Sequence, residues 1–340
     1  LDTLGDEAKE RGIAISYDCR NGSTEFAKRA AEVFAAHGYH VYLSDELRPT
    51  PMLSYMVRKL NCIGGVMVTA SHNPAKYNGY KAYGEDGGQL PPEAADHVMK
   101  EIENIKDITE LTWMDLDEGI EKGLIEIVGP KIDKMYNDYL MGLRLNPEAV
   151  EANKDMKIVF TPLHGTGNKP VNRVLKSCGF ENVITVPEQQ EPDGDFSTVE
   201  FPNPEERTAL QMAIDLAAKE EATLVIATDP DGDRVGSAVR LEDGSYEVLT
   251  GNQIGVLLMD YILSQKDEET ELDDSFFCVS TIVSSRLGKV ICEHYGVDYY
   301  ETLTGFKFIA EVIEEQDEKG DDTFLFGYEE SYGYLAGREV

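Results

Sequence analysis

Short runs of apolar, largely β-branched residues alternate along the chain with longer stretches in which apolar residues recur every three or four positions. The short runs predict strands and the longer stretches predict helices, because side chains at those spacings share one face. Strands that alternate with helices are typical of βαβ units, whose sheets are mostly parallel. The pattern therefore predicts an α/β fold.

In the first part of the chain the pattern predicts three strands and four helices. The strands are Ile13–Tyr17, His40–Leu43 and Ile63–Val68, and the helices are Leu1–Arg11, one from an N-cap at Ser23 to near Gly38, Pro51–Leu60 and Ile132–Leu143. The acidic stretch Lys106–Glu126 shows neither period and predicts irregular structure. A domain boundary follows at Leu145-Asn146-Pro147.

The remainder of the chain repeats this style without a residue-level repeat. Its predicted strands are Lys157–Phe160, Asn182–Val186, Thr223–Ala227, the hairpin Val235–Arg240 with Tyr246–Leu249, Phe276–Thr281, Asp298–Thr302 and Thr323–Phe326. Its predicted helices are one that ends at Cys178, Arg207–Lys219, Asn252–Leu263, Arg286–Tyr295 and Phe306–Gln316. We therefore predict three consecutive α/β domains with mostly parallel mixed sheets, at residues 1–145, 146–250 and 251–340.

The net charge of the chain limits the kinds of partner that it can bind. It holds 31 basic and 64 acidic residues, a formal net charge of −33, which repels nucleic acid and anionic membranes. We predict neither as a partner, and no apolar run approaches the length of a membrane helix. The five cysteines are scattered, with no C-x-x-C pair, which predicts reduced thiols and a cytoplasmic protein. Composition gives no oligomeric state.

Polar segments follow three of the predicted strands. They are Thr69-Ala70-Ser71-His72-Asn73-Pro74, Asp229-Pro230-Asp231-Gly232-Asp233-Arg234 and Gly327-Tyr328-Glu329-Glu330-Ser331. The first offers a hydroxyl on a turn, the second a cluster of carboxylates, and the third acceptors for sugar hydroxyls. In this order they predict transfer of a phosphoryl group on a sugar.

The carboxylates at positions 229, 231 and 233 can converge on one cation, because Pro230 and Gly232 force a turn between them. Oxygen ligands favour Mg²⁺ or Ca²⁺. An EF-hand is excluded, since its sixth and twelfth positions would be Arg234 and Arg240 rather than glycine and glutamate. A solvated acidic turn remains an alternative.

Ser71 is a poor nucleophile unless it has a base or already carries a phosphoryl group. His72 could orient that group, Lys81 could act as general acid or base, and Arg20 could bind phosphate. Each also has a plainer interpretation: a strand-to-turn stop for the Ser71 segment, a surface lysine, and an ordinary loop arginine.

Three further positions are candidates for ligand contacts. His164 precedes Gly165-Thr166-Gly167, a turn that could bring N–H groups to an anion, although a turn-stabilising histidine is the alternative. Glu329 could equally be an edge-strand acid. Lys307 opens a helix and could contact an anion or a hydroxyl.

The three segments resemble the phosphoserine, magnesium and sugar-specificity loops of the α-D-phosphohexomutases, and the resemblance covers nearly the whole chain. It implies that Ser71 is the phosphorylated serine and a metal ligand, and that Asp229, Asp231 and Asp233 bind Mg²⁺. It further implies contacts of Glu329 and Ser331 with sugar hydroxyls and places Lys81 and Arg20 beside the phosphoserine. Four other site residues are implied less directly: Arg234, Lys307, His164 and His72.

The resemblance implies a phosphoglucomutase that interconverts glucose 1-phosphate and glucose 6-phosphate through glucose 1,6-bisphosphate, with a phosphosugar as the partner. The Glu-Glu-Ser form resembles the glucose-preferring branch. Phosphomannomutase, phosphopentomutase and sugar-bisphosphate synthase activities remain open on the same loops, as does an inactive metal-binding scaffold.

Family members carry a glycine-rich strand before the first segment and a fourth domain that grips the distal phosphate. This chain begins at Leu1 and ends at Val340 without matching either feature. We therefore expect a chain trimmed at both ends, with poor turnover by itself.

Overall fold

A computed structural model describes residues 5–320 and 323–339. The described chain forms two compact units. The first contains residues 5–71 and 75–136 with Glu339, and the second contains His72–Pro74 and Asn137–Arg338. Their strands lie in three sheets flanked by helices, which confirms the α/β fold with mixed sheets.

The first unit contains a five-stranded sheet of order β4-β3-β1-β2-β5, parallel except for β4. Its strands are β1 (Ile13–Tyr17), β2 (Val41–Ser44), β3 (Gly64–Val68), β4 (Tyr80–Tyr83) and β5 (Ile125–Val128). The helices in this part of the chain are α1 (Gly5–Arg11), α2 (Ser23–Ala36), α3 (Thr50–Lys59), α4 (Pro92–Asn104), α5 (Leu116–Glu121) and α6 (Pro130–Gly142). Alanines at every fourth position of α2 are buried against the sheet, which lets the helix pack closely on β1.

The second unit contains two sheets. One has the order β10-β9-β8-β6-β7 and combines three parallel strands with an antiparallel hairpin. Its strands are β6 (Ile158–Thr161), β7 (Val183–Thr185), β8 (Leu224–Thr228), β9 (Val235–Arg240) and β10 (Tyr246–Leu249), accompanied by α7 (Pro147–Ala152), α8 (Asn168–Cys178) and α9 (Arg207–Glu220). The predicted hairpin is confirmed as β9 and β10.

The other sheet has the order β12-β11-β13-β14, parallel except for β14. Its strands are β11 (Phe276–Thr281), β12 (Asp298–Thr302), β13 (Thr323–Tyr328) and β14 (Tyr334–Ala336), with helices α10 (Gly251–Glu269), α11 (Leu287–Tyr295) and α12 (Phe306–Lys319). A capping box between Thr250 and Gln253 fixes the start of α10, which runs further than predicted. Residues 321 and 322, which precede the predicted strand Thr323–Phe326 in the sequence, lie outside the described residues.

The prediction of irregular structure for Lys106–Glu126 is wrong. The stretch contains a 3₁₀ turn at Ile108–Glu110, helix α5 and the start of β5. The side chains of Asp107 and Asp115 accept backbone N–H groups at the two helical starts, so local capping supplies what the weak apolar pattern lacks. Strand β5 then extends the sheet by pairing with β2.

Ser23 is not the N-cap that the sequence predicted. Gly22 takes that position with φ of 85°, and Ser23 is the buried first residue of α2. Its hydroxyl donates to Asp18 Oδ1 at 2.7 Å instead of capping the helix. The predicted helix Leu1–Arg11 is present as α1 from Gly5, and residues 1–4 lie outside the described residues.

Besides α5 and β5, four further described elements were not predicted: β4, α4, α7 and β14. The two strands are short, edge-lying and antiparallel, and α7 has only 6 residues, so these three carry no strong apolar period. Helix α4 does have a helical apolar stripe, but its apolar residues Val98, Met99 and Ile102 stay exposed. In the part of the chain that the structure describes, all five cysteines are free and no helix is long and apolar enough to cross a membrane.

The candidate residues follow the carboxyl ends of central parallel strands. Arg20 follows β1 and Ser71 follows β3, while His164, Asp229 and Glu329 follow β6, β8 and β13. Open α/β sheets bind their ligands at this edge.

Candidate active site

The Ser71 loop is a strained turn stabilised from within. Ser71 has φ of 52°, a left-handed conformation that is uncommon for a residue with a side chain. Its N–H donates to Thr69 Oγ1 at 2.8 Å, and the Thr69 hydroxyl donates to Asp18 Oδ2 at 2.7 Å. This chain of bonds links the turn to a carboxylate at the end of the neighbouring strand and holds it in shape.

Arg20 holds the same loop from the other side. Its side chain is fully buried and lies 3.2 Å from Asp18 Oδ2 through Nε. Nη2 donates to the Ser71 carbonyl at 2.5 Å, and Nη1 donates to the Tyr77 carbonyl at 2.9 Å. Arg20 is thus a structural anchor beside Ser71 and not an ordinary loop arginine. Its contact with phosphate stays a prediction.

The structure also places the other two candidates of this loop. Lys81 is half-buried on β4, where it pairs with Met67 of β3. His72 is half-buried and belongs to the second unit. Their predicted catalytic roles stay predictions.

Asp18 and Thr69 were missed by sequence reasoning. Asp18 is a fully buried carboxylate that also accepts from the backbone N–H of Arg20 at 3.0 Å. The signal was present, because Asp18 directly follows an apolar strand just as Asp229 does. Its partner Thr69 lies too far along the chain for a local pattern to reveal the contact.

Replacing Asp18 by asparagine is expected to destabilise the protein by about 3–5 kcal/mol, because it leaves the buried Arg20 guanidinium without its anion. Urea unfolding measures the change. The control is Glu118→Gln, which breaks the exposed pair of Glu118 with Lys122 and should cost less than about 1 kcal/mol. Equal losses for the two variants would contradict the structural role of Asp18.

The three carboxylates of the second loop converge. Asp229 and Asp231 are buried and Asp233 is half-buried, and one oxygen from each lies within 4.8 Å of the others. Gly232 has φ of 66° and turns the backbone back, so that the N–H groups of Asp233 and Arg234 donate to Asp229 Oδ1 at 3.1 and 3.0 Å. Burial excludes the alternative of a solvated acidic turn.

The electrostatics of this cluster favour a cation. Burial first, and then the charges of Asp231 and Asp233, raise the pKa of Asp229 well above its ordinary value, while Arg234 lowers it. Three carboxyl groups this close to one another are stable only when some of them are protonated or when a positive charge balances them. An oxygen-only set of three carboxylates fits Mg²⁺, so these residues could hold it.

The turn at residues 164–167 braces the carboxylate loop. The N–H and hydroxyl of Thr166 both donate to the Pro230 carbonyl, at 2.8 and 2.9 Å. The Thr166 N–H is therefore occupied within the protein rather than turned to an anion. Gly165 packs so closely that an added Cβ would lie 2.5 Å from the Pro230 oxygen.

His164 is tied into this turn. Its Nδ1 lies 3.2 Å from the Glu191 carbonyl and its Nε2 lies 2.8 Å from Thr198 Oγ1. Both ring nitrogens face acceptors or hydroxyls of the neighbouring loop, and the residue is buried with φ of 64°. This geometry favours the turn-stabilising interpretation, and a contact with substrate stays a prediction.

Gly165→Ala should weaken Mg²⁺ binding about tenfold, because the new methyl group displaces the Pro230 backbone at a cost of about 1–3 kcal/mol. Titration calorimetry with Mg²⁺ measures the affinity. Gly142→Ala is the control, since an added Cβ there meets no atom within 4 Å. Unchanged affinity in Gly165→Ala would show that the brace does not shape the carboxylate loop.

The third loop presents a buried carboxylate. Glu329 accepts from the N–H of Gly305 and, through Oε2, from the Ser331 hydroxyl at 3.1 Å. Lys307 lies in the first turn of α12, close after Gly305, with its Nζ 5.1 Å from the centre of the Phe308 ring. The structure thus brings the Thr304–Lys307 segment to the candidate sugar-binding pair.

A backbone hydrogen bond joins the second and third loops. The N–H of Val235, which begins β9, donates to the carbonyl of Tyr332 at 3.0 Å, and the Tyr332 hydroxyl donates to the Leu249 carbonyl at 3.2 Å. Arg234 pairs with Glu205 at 2.5 Å. Burial raises the pKa of Glu329, and the charge of Arg234 opposes that effect. These contacts therefore connect the carboxylate loop, residues 229–234, to the third loop, residues 327–333, which is called the sugar loop after its proposed ligand.

Glu329→Gln should become more stable relative to the original protein as pH rises. Burial raises the pKa of Glu329 above its ordinary value, so its contribution to stability is present at low pH and is lost as pH rises through the raised pKa. The glutamine of the variant does not ionise, so the variant does not lose stability in this way. Its stability relative to the original protein should therefore increase as pH rises above the ordinary glutamate pKa of about 4.3.

Thermal unfolding midpoints across pH measure this difference. Glu318→Gln, at an exposed position of α12, is the control. A difference for Glu329→Gln that stays flat, or that shrinks with rising pH, would contradict a raised pKa.

The described geometry defines a class: an α/β protein of three successive sheets whose candidate residues follow the carboxyl ends of strands and include a carboxylate cluster suited to a divalent cation. The matching family models are the phosphoglucomutase/phosphomannomutase alpha/beta/alpha domains I, II and III, at residues 1–109, 134–242 and 250–340. The chain belongs to the α-D-phosphohexomutase family. The predicted boundaries at 145 and 250 stay predictions.

Relatives agree with this assignment. The chain is 41% identical to a phosphoglucomutase of Staphylococcus haemolyticus over 98% of its own length and 59% of the relative. It is 40% identical to a phosphoglucomutase of Staphylococcus aureus over 95% and 56%. The chain spans little more than half the length of these curated relatives.

Among solved structures, a putative phosphomannomutase from Thermus thermophilus is similar, with a TM-score of 0.74 and 26% sequence identity. The match covers 95% of this chain and 66% of the other.

Proposed function

We propose that this chain carries the chemical loops of a phosphoglucomutase, which interconverts glucose 1-phosphate and glucose 6-phosphate through glucose 1,6-bisphosphate. The observation that carries the proposal is the carboxylate cluster of Asp229, Asp231 and Asp233, two of them buried, in a chain that belongs to the phosphohexomutase family. Bringing three carboxylates together with two of them buried costs free energy, which a cation-binding role would explain and a scaffold without chemistry would not.

In the proposed reaction Ser71 carries a phosphoryl group. The oxygen of a free sugar hydroxyl attacks the phosphorus, and the bond from phosphorus to Ser71 Oγ breaks. The hydroxyl proton passes to Lys81, and the departing Ser71 Oγ takes up a proton in turn, so that the serine hydroxyl is restored. The resulting bisphosphate reverses its orientation in the site and returns its other phosphoryl group to Ser71. The bonds from Ser71 N–H to Thr69 and from Arg20 to the Ser71 carbonyl support this role, because they hold the hydroxyl-bearing turn in a fixed conformation.

A Mg²⁺ ion bound by Asp229, Asp231 and Asp233 would neutralise charge on the transferring group. The chain's own contribution is to hold the three carboxylates together through the Gly232 turn and the Thr166 brace. Such preorganisation is what makes electrostatic stabilisation effective in enzymes.

Sugar recognition is assigned to Glu329 and Ser331, with Arg234, Lys307 and His164 as further substrate contacts, while His72 and Arg20 remain proposed catalytic residues beside Ser71. A carboxylate and a hydroxyl that bond each other still offer acceptor lone pairs to vicinal sugar hydroxyls, because the Ser331 proton is given to Glu329 and the remaining lone pairs of both groups are available. The cationic residues would bind the phosphate of an anionic substrate against the net charge of −33.

Phosphomannomutase activity is the second candidate. It is supported by the name of the Thermus thermophilus relative and by the family description, which covers both sugars. Parallel assays with glucose 1-phosphate, mannose 1-phosphate and ribose 1-phosphate, each with its bisphosphate, rank the sugars and include the pentose alternative.

Ser71→Ala should take up no label from ³²P-labelled glucose 1,6-bisphosphate, because the acceptor hydroxyl is gone. Asp231→Asn should retain Ser71 but lose metal-dependent transfer by about 10²-fold or more, because one charged ligand is removed. Labelling, phosphopeptide mapping and Mg²⁺ calorimetry on the complete gene product measure these effects.

The control is Ser264→Ala, an ordinary half-buried hydroxyl of α10, which should still be labelled. Equal labelling of Ser71→Ala and the original protein would overturn the assignment of the phosphoserine. Unchanged Mg²⁺ affinity and transfer in Asp231→Asn would overturn the assignment of the metal ligands.

A further inference from the structure

Glu330 separates the two residues proposed to contact the sugar, yet its side chain bonds elsewhere. Its Oε2 accepts from Thr281 Oγ1 and from Ser284 Oγ, both at 3.0 Å. The two hydroxyls also lie 2.8 Å from each other, so the three side chains form one connected cluster in which two hydroxyl protons serve three contacts. Because the acceptor is a carboxylate, these bonds are stronger than bonds between neutral groups.

The segment that receives Glu330 is itself firmly held. Four hydrogen bonds fix it: Ile282 N to the Thr302 carbonyl, Ser284 N to the Thr281 carbonyl, Ser285 N to Asn252 Oδ1, and the Tyr328 hydroxyl to the Ser285 carbonyl, at 2.7–3.1 Å. They connect residues 281–285 to β12, α10 and β13. The segment is therefore a rigid support rather than a loose loop.

The backbone of Glu330 is confined as well. Its carbonyl lies against Gly251 at the start of α10, where a Cβ would overlap with the carbonyl oxygen. On the C-terminal side, Tyr332 is fixed by its bonds to Val235 and to Leu249. The hydrogen bonds of Glu330 thus complete the support of the sugar loop on the side that faces residues 281–285.

We propose that Glu330 is a positioning residue that fixes Glu329 and Ser331 for sugar recognition by bonding to Thr281 and Ser284. The inference rests on the proposed function and adds to it a residue that binds no sugar. Contacts to sugar hydroxyls must be held within a fraction of an ångström to be effective, and a supporting set of hydrogen bonds supplies that precision.

The test is steady-state kinetics of the complete gene product with glucose 1-phosphate. Glu330→Ala should raise KM about tenfold and leave kcat within about threefold, because the lost contacts stabilise substrate and transition state alike. Glu330→Gln keeps an oxygen that can accept both hydroxyls and should restore KM to within about threefold of the original.

Thr281→Val combined with Ser284→Ala removes the same bonds from the other side and keeps the test valid if Glu330→Ala fails to fold. This double variant should reproduce the rise in KM, and adding Glu330→Ala should change KM no further, since one network is removed only once. Glu318→Ala removes an exposed carboxylate of α12 as the control and should match the original protein.

A KM unchanged in Glu330→Ala or in the double variant would overturn the inference. The inference would also be overturned if Glu330→Ala and the double variant raised KM additively, or if the variants lowered kcat alone. Absence of turnover in the original protein, with no phosphorylation of Ser71, would overturn the proposed function and the inference together. Normal turnover with an unaltered KM in the variants would overturn the inference alone.

Discussion

The mutual repulsion of three carboxylates is the constraint around which the second unit is organised. Asp229, Asp231 and Asp233 lie within 4.8 Å of one another, and two of them are buried, so their approach costs free energy that the surrounding structure must offset. The left-handed turn at Gly232, two backbone N–H donors and the brace from Thr166 meet that cost together. In the first unit a single buried carboxylate has a comparable structural role. Asp18 stabilises the strained turn at Ser71 through its contacts with Thr69 and Arg20.

Much of this arrangement follows from local sequence. The apolar runs that became β3, β8 and β13 are strand-length and end abruptly in polar residues, and this change from apolar to polar residues indicated all three candidate loops. The fold class was equally accessible, since strands that alternate with helical periods leave few topologies open. The role of Asp18 could also have been read from the same signal, a carboxylate placed directly after a buried strand.

Other features depend on contacts between distant parts of the chain. The edge strands β4, β5 and β14 are stabilised by pairing with neighbouring strands rather than by their own composition. Their sequences therefore show no apolar period from which the strands could be predicted. Ser23 has the composition of an N-cap, but a carboxylate five residues earlier claims its hydroxyl. The occupied ring of His164 and the network around Glu330 likewise appear only once loops separated by tens of residues are brought together.

The bond between Val235 and Tyr332 has a consequence for any attempt to change the proposed sugar preference. Because the strand that leaves the carboxylate loop donates to the backbone of the third loop, the segment 329–333 is a shared structural part of two neighbouring sheets. Exchanging that segment for one from another family member would alter the support of β9 as well as the proposed sugar contacts. A transplant of specificity should therefore carry the β9–β10 hairpin along with the loop, so that the two remain matched.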